Sequence, residues 1–302
     1  MHYDVLNATQ NTNLIAVRTI TVVIIDMPDR LDRLSALIDG LAPRVGVMRP
    51  RSGLSTLSFD ATQASRLHLH LIAQGDIRLQ TQADPDARAN APAIVVCRAD
   101  IAHSITVSEP DALMCAEAAL EGPAAALLLN EFSKPLVLEL DESDASLGYV
   151  VRLIASELSN PRCGQPALLD RAGDILFIGL LRHLVAQPQT TSGLFNGLAD
   201  TRIARALVAI HAAPQTQWTL EMLAEEAGMS RTSFATRFRE LMHQPPGKYL
   251  AQVRLSIASQ AVRSGAGLKQ AARDSGYANT AALSRALSRS NARSSDALAA
   301  ET

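Results

Sequence analysis

A short unit is written twice near the C-terminus, and this repetition limits what the chain can fold into more than any other feature of it. The first copy, LAEEAGMSRTSFATRFREL, runs from Leu223 to Leu241, and a degraded second, AARDSGYANTAALSRALSR, begins at Ala271. Up to a central glycine the copies align at an offset of 48 residues, pairing Leu220 with Leu268, Ala224 with Ala272 and Gly228 with Gly276. Past it the offset is 49, pairing Phe234 with Leu283 and Phe238 with Leu287.

Each copy reads as two helices around a tight corner. The Thr219 hydroxyl caps the first helix, and Trp218 staples onto Leu223. That helix runs to Ala227, where Gly228 permits the left-handed turn a close corner needs. Ser230 caps a second helix whose Phe234, Phe238 and Leu241 fall on one buried stripe. The opposite face presents Arg231, Thr232, Ala235, Thr236 and Arg239. This is a helix-turn-helix pattern: small outward residues allow approach to base edges, and arginines reach phosphates or guanine. In the second copy Asn279 caps the outer helix, which presents Thr280, Ala281, Ser284 and Arg285. Between the copies, Tyr249–Val262 reads as one connecting helix. Two such units on a rigid connector reach successive major grooves about 34 Å apart. A plain helical bundle with a chance glycine corner is the alternative reading of a single copy.

The charge distribution agrees. Residues 201–302 hold 13 Lys+Arg against 7 Asp+Glu, a net of +6, while the first 200 hold 15 against 23, a net of −8. A basic C-terminal segment joined to an acidic module suits a polyanion partner. A length of 302 residues with 47 % hydrophobic and 19 % charged content allows two globular domains. Cys97, Cys115 and Cys163 show neither paired nor metal-like spacing, which fits a reducing cytoplasm, and all three read as buried structural thiols. The apolar run Leu14–Met27 contains Arg18 and is too short to span a bilayer, so no membrane partner is expected.

Upstream, MPDRLDRLSALIDG reads as an amphipathic helix with Pro28 in its first turn, Leu31, Leu34 and Ile38 on one face, and Gly40 at its end. From about Ser55 to Cys115 the texture becomes short strands: Leu67–Leu71 alternates strictly, and Ala93–Cys97, Ile101–Val107 and Ala112–Cys115 follow, as in a small antiparallel barrel or sandwich. After Glu117 the pattern reads as helical, with strong periodicity over Leu147–Leu158 and Leu168–Val185. Gln187–Asn196 reads as a linker, and everything beyond Asp200 as helices.

The stretch WTLEMLAEEAGMSRTSFATRFRELMHQPPGKYLAQVRLSIA closely resembles the first helix-turn-helix and connecting helix of the AraC/XylS family of transcription regulators. The family's Gly, Met-Ser-Arg, Phe-x-x-x-Phe and Pro (Pro246) positions are filled, as is the Tyr-Leu-x-x-x-Arg-Leu of the connector, at Tyr249, Leu250, Arg254 and Leu255. The second unit keeps Ala272, Gly276, Tyr277, Ser284 and Arg285, but has Leu283 and Leu287 for the usual aromatics. Ser275 stands where the family has an apolar residue, and Ser295 sits near an expected Pro.

The first two hundred residues resemble the cupin-type sensor domain of one AraC subgroup, through PDRLDRLSALIDG, LHLHLIAQG, AIVVCRADIAH and LLLNEFSKPLVLEL…LLDRAGDILFIGLLRHL. Members of the subgroup begin near the position of Met27, which makes residues 1–26 an expected extension. Cupin enzymes hold a metal with a His-x-His-plus-Glu set and a later His. The resemblance places His68 where the glutamate would stand and His103 at the later His, with Pro92-Ala93 replacing the usual Gly-Asp. With no carboxylate ligand, His68, His70 and His103 are expected to line a small-molecule site, with no metal and no other cofactor. Cys115 falls where the subgroup often has a Cys.

The expectation is therefore a multidomain chain. Residues 1–26 are an extension, 27–118 a mainly-β cupin-like barrel with flanking helices (α+β), and 119–199 a helical covering or dimerisation segment and linker. Residues 200–302 form an all-α domain with helix-turn-helix units at about 219–242 and 268–290 and a connecting helix at about 247–263. The implied function is that of a cytoplasmic, non-enzymatic transcription regulator. Its expected partners are double-stranded DNA, a small-molecule effector, a second copy of itself and RNA polymerase. The rival readings are a metal-dependent cupin enzyme with an accessory helical domain, and an interaction protein that has lost DNA binding.

Overall fold

The computed structural model describes residues 32–300 apart from 49, 51–54, 63–64, 85, 142–144 and 189–192, with side chains described as far as residue 290. The extension read at 1–26, and Pro28 and Leu31 of the N-terminal helix, lie outside the described residues. The helix itself, α1 (Ser35–Leu41), starts where the Asp32 carboxylate accepts the backbone N–H groups of Leu34 and Ser35, both at 3.0 Å. It passes Gly40 and stops at Ala42, whose φ is 42°. The face it buries is Leu34, Leu37 and Leu41; Ile38 is only half-buried.

Among the described residues nine strands follow, in two antiparallel sheets. They are β1 (Pro43–Met48), β2 (Thr56–Phe59), β3 (Arg66–Ile72), β4 (Asp76–Thr81), β5 (Ala87–Asn90), β6 (Ala93–Arg98), β7 (His103–Val107), β8 (Leu113–Leu120) and β9 (Leu136–Glu139). One sheet has the order β1-β8-β3-β6-β9 and the other β2-β7-β4-β5. The period-2 alternation assigns the faces. In β3, Leu67, Leu69 and Leu71 point out to the helices, while Ile72 joins Ile77, Val95, Cys97, Ile105 and Cys115 between the sheets. The helical reading past Glu117 is corrected here. β8 continues to Leu120, and Leu136–Glu139 pairs along β6, with Ala93 opposite Glu139 and Val96 opposite Leu136. Three apolar residues before Glu139 carry no helix-or-strand signature of their own; the edge of β6 decides it.

The helices are α2 (Ala125–Glu131), α3 (Ala145–Ser159), α4 (Gln165–Ala186), α5 (Leu194–Ala199), α6 (Thr201–Ala212), α7 (Leu220–Glu226), α8 (Arg231–Met242), α9 (Pro246–Arg263), α10 (Leu268–Ser275) and α11 (Thr280–Ala300). None among the described residues is long and apolar enough to cross a membrane. The linker reading is corrected at its end. α5 is helical and buries Leu194, Phe195 and Leu198. Glu131 accepts the Leu194 N–H at 3.0 Å, and Arg33 donates to the carbonyls of Leu198 and Ala199 at 3.1 and 3.0 Å. α5 is thus tied at both ends.

One apolar core runs from the outer face of the five-stranded sheet through Phe177 and Leu180 of α4, Phe195 of α5 and Leu207 of α6 to Phe234, Phe238 and Tyr249. Burying each such side chain is worth about 1.5–3 kcal/mol. Besides this core and the one between the sheets, a third, smaller core of Ala258, Ala271, Ala272 and Leu283 joins α9, α10 and α11.

Candidate nucleic-acid interface

The first helix-turn-helix is α7 and α8. Thr219 Oγ1 accepts the Met222 N–H at 3.2 Å and Ser230 Oγ accepts the Ser233 N–H at 3.2 Å, so both helices are capped as their sequence implies. Gly228 turns the corner at φ 61°. Phe234 and Phe238 are fully buried with ring centroids 5.6 Å apart; the third buried position is Met242, while Leu241 is half-buried, which corrects the expected stripe. Arg231, Thr232, Thr236 and Arg239 are exposed and Ala235 half-buried. Arg231 Nη1 lies 2.7 Å from Glu221 Oε1, an exposed pair of the kind that contributes little and yields to a stronger anion. Arg239 makes no ion pair among the described residues.

The second unit is α10 and α11. Asn279 Oδ1 accepts the Ala282 N–H at 2.8 Å, and Gly276 turns the corner at φ 80°. Thr280, Ala281 and Arg285 are exposed and Ser284 half-buried. Ser275, the polar departure at the corner, is fully buried, and its hydroxyl donates to the Ala271 carbonyl at 2.5 Å. That bond meets the hydroxyl's need for a partner in place of an apolar contact.

Arg254, whose place in the connector pattern implied no contact of its own, and Gln217 orient the units. Arg254 of α9 donates to the carbonyls of Pro214 at 2.9 Å and Thr216 at 2.6 Å, fixing the connecting helix to the loop before α7. Gln217 donates to the Gly276 carbonyl at 3.3 Å, joining that loop to the second corner. A Cβ on Gly276 would meet Gln215 Cα at 2.7 Å and the Pro214 oxygen at 2.9 Å. Arg237, also outside the expected contact set, is held by Asp200 at 3.0 Å, the residue that caps α6.

The three histidines meet inside the barrel. His70 Nε2 lies 2.9 Å from His103 Nε2, and His70 Nδ1 lies 3.3 Å from Cys115 Sγ. His103 Nδ1 lies 2.7 Å from the Ile101 carbonyl, and Phe59 stacks on the His103 ring at 5.0 Å. His68 Nε2 lies 3.7 Å from Glu117, while its Nδ1 is buried without a partner among the described residues. Burial lowers the pKa of all three imidazoles, of His70 most, and keeps them neutral. A cavity of about 370 Å³ opens on His68, His70, Cys115 and Phe59. Burial also pushes the Cys97 and Cys115 thiols up to about 12. Cys163 is exposed, which corrects its reading as a buried thiol.

Two family models match the chain: a cupin domain over residues 32–186 and a helix-turn-helix domain over residues 223–294. An AraC-like transcription regulator of Streptomyces lividans is 29 % identical over 229 residues, covering 72 % of this chain and 75 % of that one. The chain belongs to the cupin family and carries an AraC-type helix-turn-helix domain.

Among other relatives, the HTH-type transcriptional regulator AlkR of Acinetobacter baylyi is 36 % identical over 137 residues. That match spans 45 % of this chain and 45 % of AlkR, under half of either. The RCS-specific HTH-type transcriptional activator RclR of Escherichia coli K12 is 26 % identical over 240 residues, 76 % of this chain and 83 % of that one. The AraC/XylS connector pattern now has a physical reason: its Tyr249 and Arg254 are the residues that seat α9.

His211 also sets a pH dependence. The Tyr249 hydroxyl pairs with its Nε2 at 2.7 Å, and burial holds the imidazole down to about 4. Above pH 6.5 both folded and unfolded chains carry it neutral. Between 6.5 and 4 the unfolded chain takes the proton first, so stability falls with falling pH, by about 3 kcal/mol at the lower end. Urea unfolding at pH 7.5 and pH 5 is expected to show a smaller pH difference for His211→Gln than for the native chain.

Proposed function

We propose that this chain is a transcription regulator that binds duplex DNA through both helix-turn-helix units and senses a small effector in its cupin barrel. The observation that carries the reading is the pair of capped, outward-facing second helices, α8 and α11, set on either side of one connecting helix. Their exposed faces are small, polar and basic, with Arg231, Thr232, Ala235, Thr236 and Arg239 on α8, and Thr280, Ala281, Ser284 and Arg285 on α11. The histidine-lined cavity of about 370 Å³ supports an effector site. The relatives' names as regulators favour sensing over catalysis in that barrel. Tyr149, Leu153 and Ile175, exposed on α3 and α4, support a second copy of the chain as a partner there.

The test is duplex binding against salt concentration. Because the core of the first unit is continuous with α4 and α5, the full chain is the reagent rather than residues 200–302. If about 6–10 phosphates are neutralised, affinity should fall by about 10³–10⁵ between 50 and 200 mM salt, through release of condensed counterions. Flat salt dependence, or no retention at 50 mM, would refute DNA binding.

A further inference from the structure

Inside the barrel, a thiol completes a ligand set that the sequence does not signal. Cys97 of β6 points between the sheets, and its Sγ and one nitrogen each of His70 and His103 all lie within 4.8 Å of one another. We propose that His70, Cys97 and His103 bind a divalent thiophilic metal ion of the zinc class. Metal binding in the barrel would not depend on DNA binding.

The donor chemistry selects the ion. One thiolate with two imidazoles suits zinc, which prefers tetrahedral nitrogen and sulfur ligands and leaves a fourth position for water or a bound molecule. Tetrahedral bonding would set neighbouring nitrogens about 3.3 Å apart and nitrogen and sulfur about 3.6 Å apart. The two Nε2 atoms stand at 2.9 Å and all three ligand atoms within 4.8 Å of one another, so closing the set needs at most about 1 Å of movement at the sulfur. The outer partners are already in place. His103 donates its Nδ1–H to the Ile101 carbonyl, which leaves the Nε2 lone pair aimed at the proposed ion, and Phe59 fixes the ring plane. His70 turns Nδ1 to Cys115 and Nε2 inward. The cavity lined by His68, His70 and Cys115 reaches one of the three ligands, His70.

The set is not the His-x-His-plus-Glu arrangement of cupin enzymes. It takes one imidazole of the His-x-His pair and has sulfur, from a different strand, where those enzymes have a carboxylate. Binding is balanced by one proton. Cys97 loses its S–H proton to solvent as the metal–sulfur bond forms, and both imidazoles ligate through neutral nitrogen.

Cobalt(II) serves as the probe, in the full chain with Cys163→Ser so that the exposed thiol takes no part. One equivalent should give a sulfur-to-cobalt charge-transfer band and tetrahedral d–d bands, both abolished by added zinc. Cys97→Ser should remove the charge-transfer band, His103→Ala should weaken binding at least tenfold, and Cys115→Ser should leave the band in place. Far-UV circular dichroism and Trp218 emission check that each variant is folded. Should Cys97→Ser fail to fold, X-ray absorption of the zinc-loaded chain decides: one sulfur and two nitrogens support the site, and a shell of nitrogen and oxygen alone overturns it. A missing band, a band that survives Cys97→Ser in a folded chain, or one that vanishes with Cys115→Ser would also overturn it.

Discussion

Phe238→Ala is expected to destabilise the chain by about 3–5 kcal/mol and to do so across both domains together. Phe238 is fully buried between Phe234 and Tyr249, with ring centroids at 5.6 and 5.9 Å. A loss of that size is a large share of the total for an ordinary domain. The same apolar core continues through Phe195 and Phe177 to the sheet, so the first helix-turn-helix has no separate interior to lose. Trp218 is the sole tryptophan and packs on this core, and its emission reports the first unit, while circular dichroism reports the whole chain. The two signals should lose their transitions at the same temperature, lowered together by the substitution. Leu283→Ala, in the small core of alanines beside α11, should leave the Trp218 transition in place.

The second large effect concerns binding. Arg231→Ala with Arg239→Ala should weaken retention on all duplexes alike and lower the salt slope by about 1 for each phosphate that is no longer neutralised. Thr236→Ala, on the same exposed face, should instead change which sequences are preferred, with about 1–3 kcal/mol at the base pair it meets. Fluorescence anisotropy on a panel of duplexes at three salt concentrations separates the two behaviours. Equal effects of both substitutions on sequence preference would contradict the division of roles.

The first helix-turn-helix was legible because its determinants are local. Thr219 and Ser230 cap within three residues, Gly228 turns in place, and the phenylalanines repeat at helical spacing. What was not legible depends on distant partners. Leu136–Glu139 looks like part of a helix until β6 offers it an edge. Leu194 and Phe195 look like linker residues because their burial depends on Phe132, whose ring lies 6.3 Å from that of Phe195. Ser275 looks like a defect because its hydrogen bond to Ala271 exists only once α10 has formed. The histidines could be placed on one strand face by alternation, since His68 and His70 are two residues apart. Cys97 could not be joined to them, because β3, β6 and β7 come together only in the folded barrel.

In the proposed complex one chain places two recognition helices in neighbouring grooves. Hydroxyl-radical footprinting of the full chain, on duplexes selected from a random pool, tests it most directly. Two protected blocks about 10 bp apart on one face of the duplex are expected. Gly276→Ala should leave only the block set by α8, because a Cβ there collides with Pro214 and Gln215 at φ 80°. A single block in the native chain, or no protection on any duplex at low salt, would contradict the account.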